Sequence, residues 1–226
     1  MATKPNFTLM HLSRPPLEPS DGGAPGVLLL HGVGANEEDL MGLAPYLDPR
    51  CHVISARAPI EMGPRMYGWF WIEMLSDGSF HYNPEEARAS LRLVDSFVEE
   101  IVEAYHLNRS RFFVVGFSQG AIQGCALLLL EPEKMAGLVA MSGRWPTPVE
   151  AVRARDGRLA GKPVLAVHGL YDPVIPVHYA RELKRKFEAL PVAFTYHEFP
   201  MQHNVSDQSL ALVSAWLTAR LDEVMR

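Results

Sequence analysis

The chain has 226 residues, 48% hydrophobic and 21% charged, with 21 Lys plus Arg against 26 Asp plus Glu and a net charge of -5. That length and composition fit one soluble domain with a full hydrophobic core, and the mild acidity excludes the broad basic surface that nucleic acid or an anionic membrane requires. Two cysteines, Cys51 and Cys125, cannot build a disulfide framework, and residues 1–26 lack the apolar segment of a secretory signal.

From the N-terminus, residues 7–12 read as an antiparallel edge strand, and 14–26, rich in Pro, Gly and Ser, as an exposed loop. Val27–Leu30 reads as a buried strand, 37–47 as a helix and Cys51–Ser55 as a second strand. Residues 57–84 show no clear periodicity and are expected to form a long loop carrying Met62, Met66, Tyr67, Trp69, Phe70 and Trp71. A loop of that length in a compact domain is uncommon and often functional. A helix opens at Asn83-Pro84-Glu85-Glu86, where Asn caps free amides, Pro tolerates the first helical position and the acids suit the positive end of the dipole. Ala87, Leu91, Val94, Val98, Ile101 and Tyr105 then recur at helical spacing. Strands follow at Arg111–Gly116, Gly137–Met141, Pro163–His168 and Ala193–Phe199, with helices at 119–131, 177–189 and 205–224. Continuous β-branched runs belong to strands covered on both faces, hence a parallel sheet. The β-α alternation predicts a single α/β domain over 1–226, a mostly parallel central sheet with helices on both faces. Residues 143–162 are too few to hold a cap domain.

Gly116-Phe117-Ser118-Gln119-Gly120 matches G-x-S-x-G. Three fixed positions are a weak filter, but here the motif joins the strand RFFVVG to a helical run, the context of a nucleophile elbow. The plainer alternative is a turn serine capping a helix. A serine hydroxyl needs a base, and on such a sheet the partners follow in the order Ser, Asp or Glu, His. Asp172 lies just beyond the strand ending at His168-Gly169, and His203 lies after the last strand, in Pro200-Met201-Gln202-His203-Asn204. The expected triad is Ser118, Asp172 and His203. Two backbone N–H groups must face the oxyanion; Gln119 follows the nucleophile, and Val33 sits in the early-strand loop Leu30-His31-Gly32-Val33-Gly34. His31 reads as a structural hydrogen-bonder of that loop. The spacing offers no zinc-type ligand set and no phosphate-binding glycine loop, so no metal and no cofactor is expected.

LLLHGVGANEEDL, GFSQGA, HGLYDPVIP and FPMQHNVS together resemble the phospholipase/carboxylesterase group of α/β-hydrolases, which includes acyl-protein thioesterases and small bacterial carboxylesterases. The resemblance runs from about residue 26 to the C-terminus. It implies a capless α/β-hydrolase fold, the same triad and oxyanion donors, and no cofactor. Its expected activity is that of a carboxylesterase on short- to medium-chain esters, with an acyl-thioesterase or lysophospholipase as the alternative. One departure is Gln202, where the family usually has Gly before the catalytic His. Trp69, Phe70, Trp71 and Ile175 are the expected substrate-binding residues, and replacing Trp69 or Phe70 is expected to alter chain-length preference more than thermal stability. The expected partner is a small-molecule ester, without nucleic acid or stable membrane insertion; a homodimer is left open, and the expected location is cytoplasmic. A non-catalytic ligand-binding domain of this fold would usually lack a triad member.

Overall fold

Residues 6–74, 80–147, 149 and 153–223 are described by a computed structural model. Strands β1 (His11–Arg14), β2 (Ala24–Leu30) and β3 (His52–Ala56) form one flank of a seven-stranded sheet. Two short antiparallel ladders, β4 (Ile60–Gly63) with β5 (Met66–Gly68) and β6 (Ile72–Met74) with β7 (Phe80–Tyr82), stand apart from it. Strands β8 (Leu107–Phe117), β9 (Gly137–Met141), β10 (Pro163–Gly169) and β11 (Ala193–Phe199) complete the sheet in the order β1-β3-β2-β8-β9-β10-β11. Every pairing in it is parallel except that of β1 with β3.

The apolar runs are continuous because both faces of the sheet are buried. Leu28 and Leu30 of β2, Phe112 and Val114 of β8, and Val164 and Ala166 of β10 enter one core. Their neighbours Val27, Leu29, Phe113, Val115, Leu165 and Val167 enter the other. The first core is closed by α2 (Pro84–Ala104), α3 (Gln119–Leu130) and α5 (Val177–Glu188), the second by α1 (Glu37–Met41) and α6 (Asp207–Glu223). Asn83 caps α2 as expected, its side chain accepting from Glu85 N–H at 2.9 Å. Cys125 is fully buried in the first core, where desolvation pushes its thiol up to about 12.

Several elements differ from expectation. The edge strand is His11–Arg14 rather than 7–12, since these residues meet Val53–Ala56, while Phe7 stacks on Tyr105 at 5.7 Å. The predicted helix 37–47 stops at Met41 and resumes as a 3-10 turn over Ala44–Tyr46. Gly42 ends the first piece, and Pro45 has no N–H with which to continue it. Strand β8 is longer than the six residues predicted, because Leu107 pairs with Ala24 across a bulge, so the exposed loop 14–26 also gives up its end to β2. The segment 57–84 is no plain loop: it carries the two ladders, although residues 75–79 lie outside the described ones. In the stretch predicted too short for a cap, 148 and 150–152 lie outside them too, as does residue 224 of the last helix. Among the described residues no helix is long and apolar enough to cross a membrane.

Candidate active site

Strand β8 delivers Ser118 into a sharp turn at the start of α3, with φ 53° and ψ -116°. Such a conformation costs a non-glycine residue roughly 1–3 kcal/mol and survives only where the surroundings over-determine it. Here they do. A Cβ at Gly116 would overlap the Gly120 carbonyl, and one at Gly120 would overlap the Leu30 carbonyl. Strand, turn and helix therefore pack backbone to backbone, and Ser118 N–H donates to Met141 O at 2.9 Å.

The carboxyl ends of β10 and β11 bring two more side chains to this turn. Asp172 Oδ1 accepts the Val174 and Ile175 N–H groups, each at 2.8 Å, which fixes the carboxylate in its turn. Its Oδ2 accepts from His203 Nδ1 at 2.7 Å, and His203 Nε2 lies 2.9 Å from Ser118 Oγ. The carboxylate accepts a proton from Nδ1, so the neutral ring presents Nε2 as acceptor to the serine hydroxyl. The Asp172 side chain is fully buried and that of His203 only 15% exposed. Buried His168 adds a contact, its Nε2 donating to Ile175 O at 2.7 Å and lying 3.4 Å from Asp172 Oδ2. Desolvation holds the His168 pKa below the ordinary histidine value, so a neutral ring supports the acid loop. Gln202 projects into solvent, while its carbonyl packs on Gly169 where a Cβ would clash.

The loop after β2 passes the same turn. A Cβ on Gly32 would come within 3.4 Å of Ser118 Cβ, which sets the Val33 backbone beside the serine. Among the described residues, neither Val33 N–H nor Gln119 N–H has a hydrogen-bond partner. His31 steadies this loop, its Nε2 accepting from Ala58 N–H at 3.0 Å and its Nδ1 donating to Gly32 O at 2.7 Å. Burial lowers its pKa, in keeping with a neutral ring that accepts on one nitrogen. The β4–β5 ladder is laced to the same loop by Gly34 N–H to Tyr67 O and Tyr67 N–H to Ala35 O, each 2.8 Å.

A cavity of about 290 Å³ opens on Ser118 and Gln119, near the small end of ligand sites. Of the expected substrate-binding residues, Phe70 and Ile175 line it. Trp69 and Trp71 do not, which corrects that expectation. Trp69 is wholly buried, its indole N–H donating to His31 O at 2.9 Å and its backbone N–H to Gln119 Oε1 at 2.7 Å. Trp71 is 51% exposed and its backbone N–H donates to Glu86 Oε2 at 2.8 Å. The Gln119 side chain also donates to Phe70 O at 2.6 Å, so one amide clips the aromatic segment to the elbow. The remaining lining includes Ile72, Ile122, Arg144, Val174 and Tyr179, which sequence reasoning missed. Val174 could have been read beside Ile175 in the Asp-Pro turn; Arg144 follows β9 without any motif to mark it.

Known proteins carry the same architecture. The Bacillus cereus carboxylesterase superposes with a TM-score of 0.79 at 25% identity, covering 94% of each chain. Esterase PE8 superposes with a TM-score of 0.80 at 26% identity, covering 93% of this chain and 98% of its own. In sequence, MhqD of Bacillus subtilis is 32% identical over 161 residues, 70% of this chain and 75% of its own. An acyl-protein thioesterase 1 from Kluyveromyces lactis is 27% identical over 173 residues, 72% of this chain and 75% of its own. The profile of the phospholipase/carboxylesterase family matches residues 17–221. With an elbow serine at the end of a mostly parallel sheet and a match over nearly its whole length, the chain belongs to the phospholipase/carboxylesterase family of α/β-hydrolases, and is a serine hydrolase.

Proposed function

We propose that this enzyme is a carboxylesterase acting on short- to medium-chain esters through Ser118, His203 and Asp172, with Val33 and Gln119 as oxyanion donors. The observation that carries the reading is the unbroken chain from Asp172 Oδ2 through the His203 ring to Ser118 Oγ, at 2.7 and 2.9 Å, opening on an apolar cavity. His203 Nε2 takes the hydroxyl proton as Ser118 Oγ attacks the ester carbonyl. Asp172 holds the ring's tautomer and stabilises the imidazolium. The tetrahedral oxyanion draws on two N–H groups that have no partner among the described residues, a larger contribution than either would make in water. The imidazolium then protonates the departing alcohol, and water repeats the sequence on the acyl-enzyme to release the acid.

The thioesterase alternative uses the same residues and is favoured by the resemblance to acyl-protein thioesterases. Matched ester and thioester substrates of equal acyl length separate the two readings: faster ester turnover supports ours, and faster thioester turnover overturns it. We further propose that the chain works as one hydrolase unit in the cytoplasm, in keeping with two buried, unpaired cysteines. Cell fractionation tests the location.

A further inference from the structure

The cavity beside Ser118 is walled mostly by apolar side chains, yet one cation, Arg144, lines it. A Cβ on Gly143 would press on Ala121 Cβ, so the chain leaving β9 runs against the first turn of α3 and delivers Arg144 beside the nucleophile. The guanidinium lies over the rings of Tyr82 and Tyr179, at 5.4 and 5.7 Å. Two aromatic faces hold a cation in place without neutralising it. Among the described residues no carboxylate lies within ion-pair distance of Arg144. By contrast, Arg50, Arg57, Arg65, Arg109, Arg158 and Arg181 each pair with an Asp or Glu. Glu182 lines a second cavity of about 330 Å³ that shares Arg144 as a wall, but it does not line the one holding Ser118. An anion entering from the serine side therefore meets Arg144 without passing Glu182.

We propose that Arg144 is a specificity-determining residue that binds a carboxylate carried by one arm of the ester, so that the substrates are anionic esters. The inference rests on the esterase reading above and names its substrate class. A carboxylate matches the fork of a guanidinium with two parallel hydrogen bonds, and desolvation by the surrounding side chains strengthens the pair. The apolar walls contact the hydrocarbon between the ester and the anion.

The test uses two isosteric substrate pairs that differ only in charge. p-Nitrophenyl hemiglutarate against its terminal amide places the charge on the acyl arm; the butyrate esters of m-hydroxybenzoate and m-hydroxybenzamide place it on the alcohol arm. In one pair the unaltered enzyme should favour the carboxylate in kcat/KM by about tenfold or more, the scale of one charged hydrogen-bonded pair. Arg144→Gln should bring that ratio to about one, and Arg144→Lys, which keeps the charge and loses the fork, should leave an intermediate ratio. The proposal is overturned if the unaltered enzyme shows no preference in either pair, or if the ratio survives Arg144→Gln. Should that variant fail to fold by circular dichroism, the unaltered enzyme's ratio and Arg144→Lys decide. Failure of the esterase reading has separate signatures, faster turnover of the matched thioester, or no turnover of any of the four esters with no fluorophosphonate adduct on Ser118, and the proposal of anionic ester substrates falls with it.

Discussion

A single residue concentrates the strain of this site and its proposed chemistry. Ser118 sits at φ 53° in a turn where neighbouring backbones leave no room for side chains at Gly116 or Gly120. Ser118→Ala preserves that backbone, so we expect ester hydrolysis to fall by about a thousandfold or more while the melting temperature stays close to that of the unaltered enzyme. Mass spectrometry should find a fluorophosphonate adduct on Ser118; an adduct elsewhere, or an active Ser118→Ala enzyme, would remove the nucleophile from the proposal. Asp172→Asn keeps an oxygen for the Val174 and Ile175 N–H groups but can turn an amide N–H toward His203 Nδ1, favouring the wrong tautomer. Its kcat should drop by about three to four orders of magnitude with the fold retained, measured on one short-chain ester beside a circular dichroism spectrum. Near-normal rates would mean that another group orients the ring.

The element that departs furthest from expectation is the segment after β3. Its strands are three or four residues long, too short to show a period of two; they pair with one another, and Tyr67 bridges to Ala35 in a loop distant in sequence. Gln119 joins this element to the turn at Ser118 through Trp69 N–H and Phe70 O. In Gln119→Leu both backbone groups lose their buried partner, and limited proteolysis should cut within 57–83 faster than in the unaltered enzyme. Unchanged cleavage would show that the ladders hold the segment without the clip. Phe70→Ala and Trp69→Ala now carry a different expectation. Both side chains are almost completely buried in the larger core, so each truncation should cost about 3–5 kcal/mol of stability. Only Phe70 also lines the cavity, so only its variant should alter the chain-length profile of the remaining activity. A urea titration and a p-nitrophenyl ester series measure the two effects separately.

Across the whole molecule, buried histidines couple stability to pH. His31 and His168 are held below the ordinary value of 6.5 chiefly by desolvation, and partly buried His11 and buried His52 behave alike. Between their lowered folded values and 6.5 the unfolded chain binds more protons than the native one, so stability falls as pH drops through that window. Glu37, held low by its hydrogen bonds from Arg57, and Asp48, held low by Arg50, add a second loss at still lower pH as these carboxylates are protonated. The urea midpoint should therefore decline from about pH 6.5 downward and steepen below about pH 4.5. A midpoint that stays level down to about pH 5 would show that the histidines do not govern stability.

Strand runs, helix caps and the order Ser, Asp, His are local or linear features, and they were legible before any contact was known. An apolar run buries itself wherever the sheet places it, and a G-x-S-x-G motif between strand and helix constrains its own backbone. That is why β9 and β11 match their predicted bounds, and why Ser118, Asp172 and His203 meet at one edge of the sheet. What surrounds Ser118 is another matter. Trp69 and Phe70 are adjacent and both aromatic, yet one supports the His31 loop and the other lines the cavity, because Gln119 and the β4–β5 pairing set their directions. Arg144 carries no signature, and its role depends on two tyrosines 62 and 35 positions away and on the absence of an acid beside it among the described residues. Local pattern and chain order were enough for the sheet, the elbow and the succession of the proposed triad; the side chains that shape the pocket were settled by the folded chain, since pocket walls come from long-range packing that no local pattern encodes.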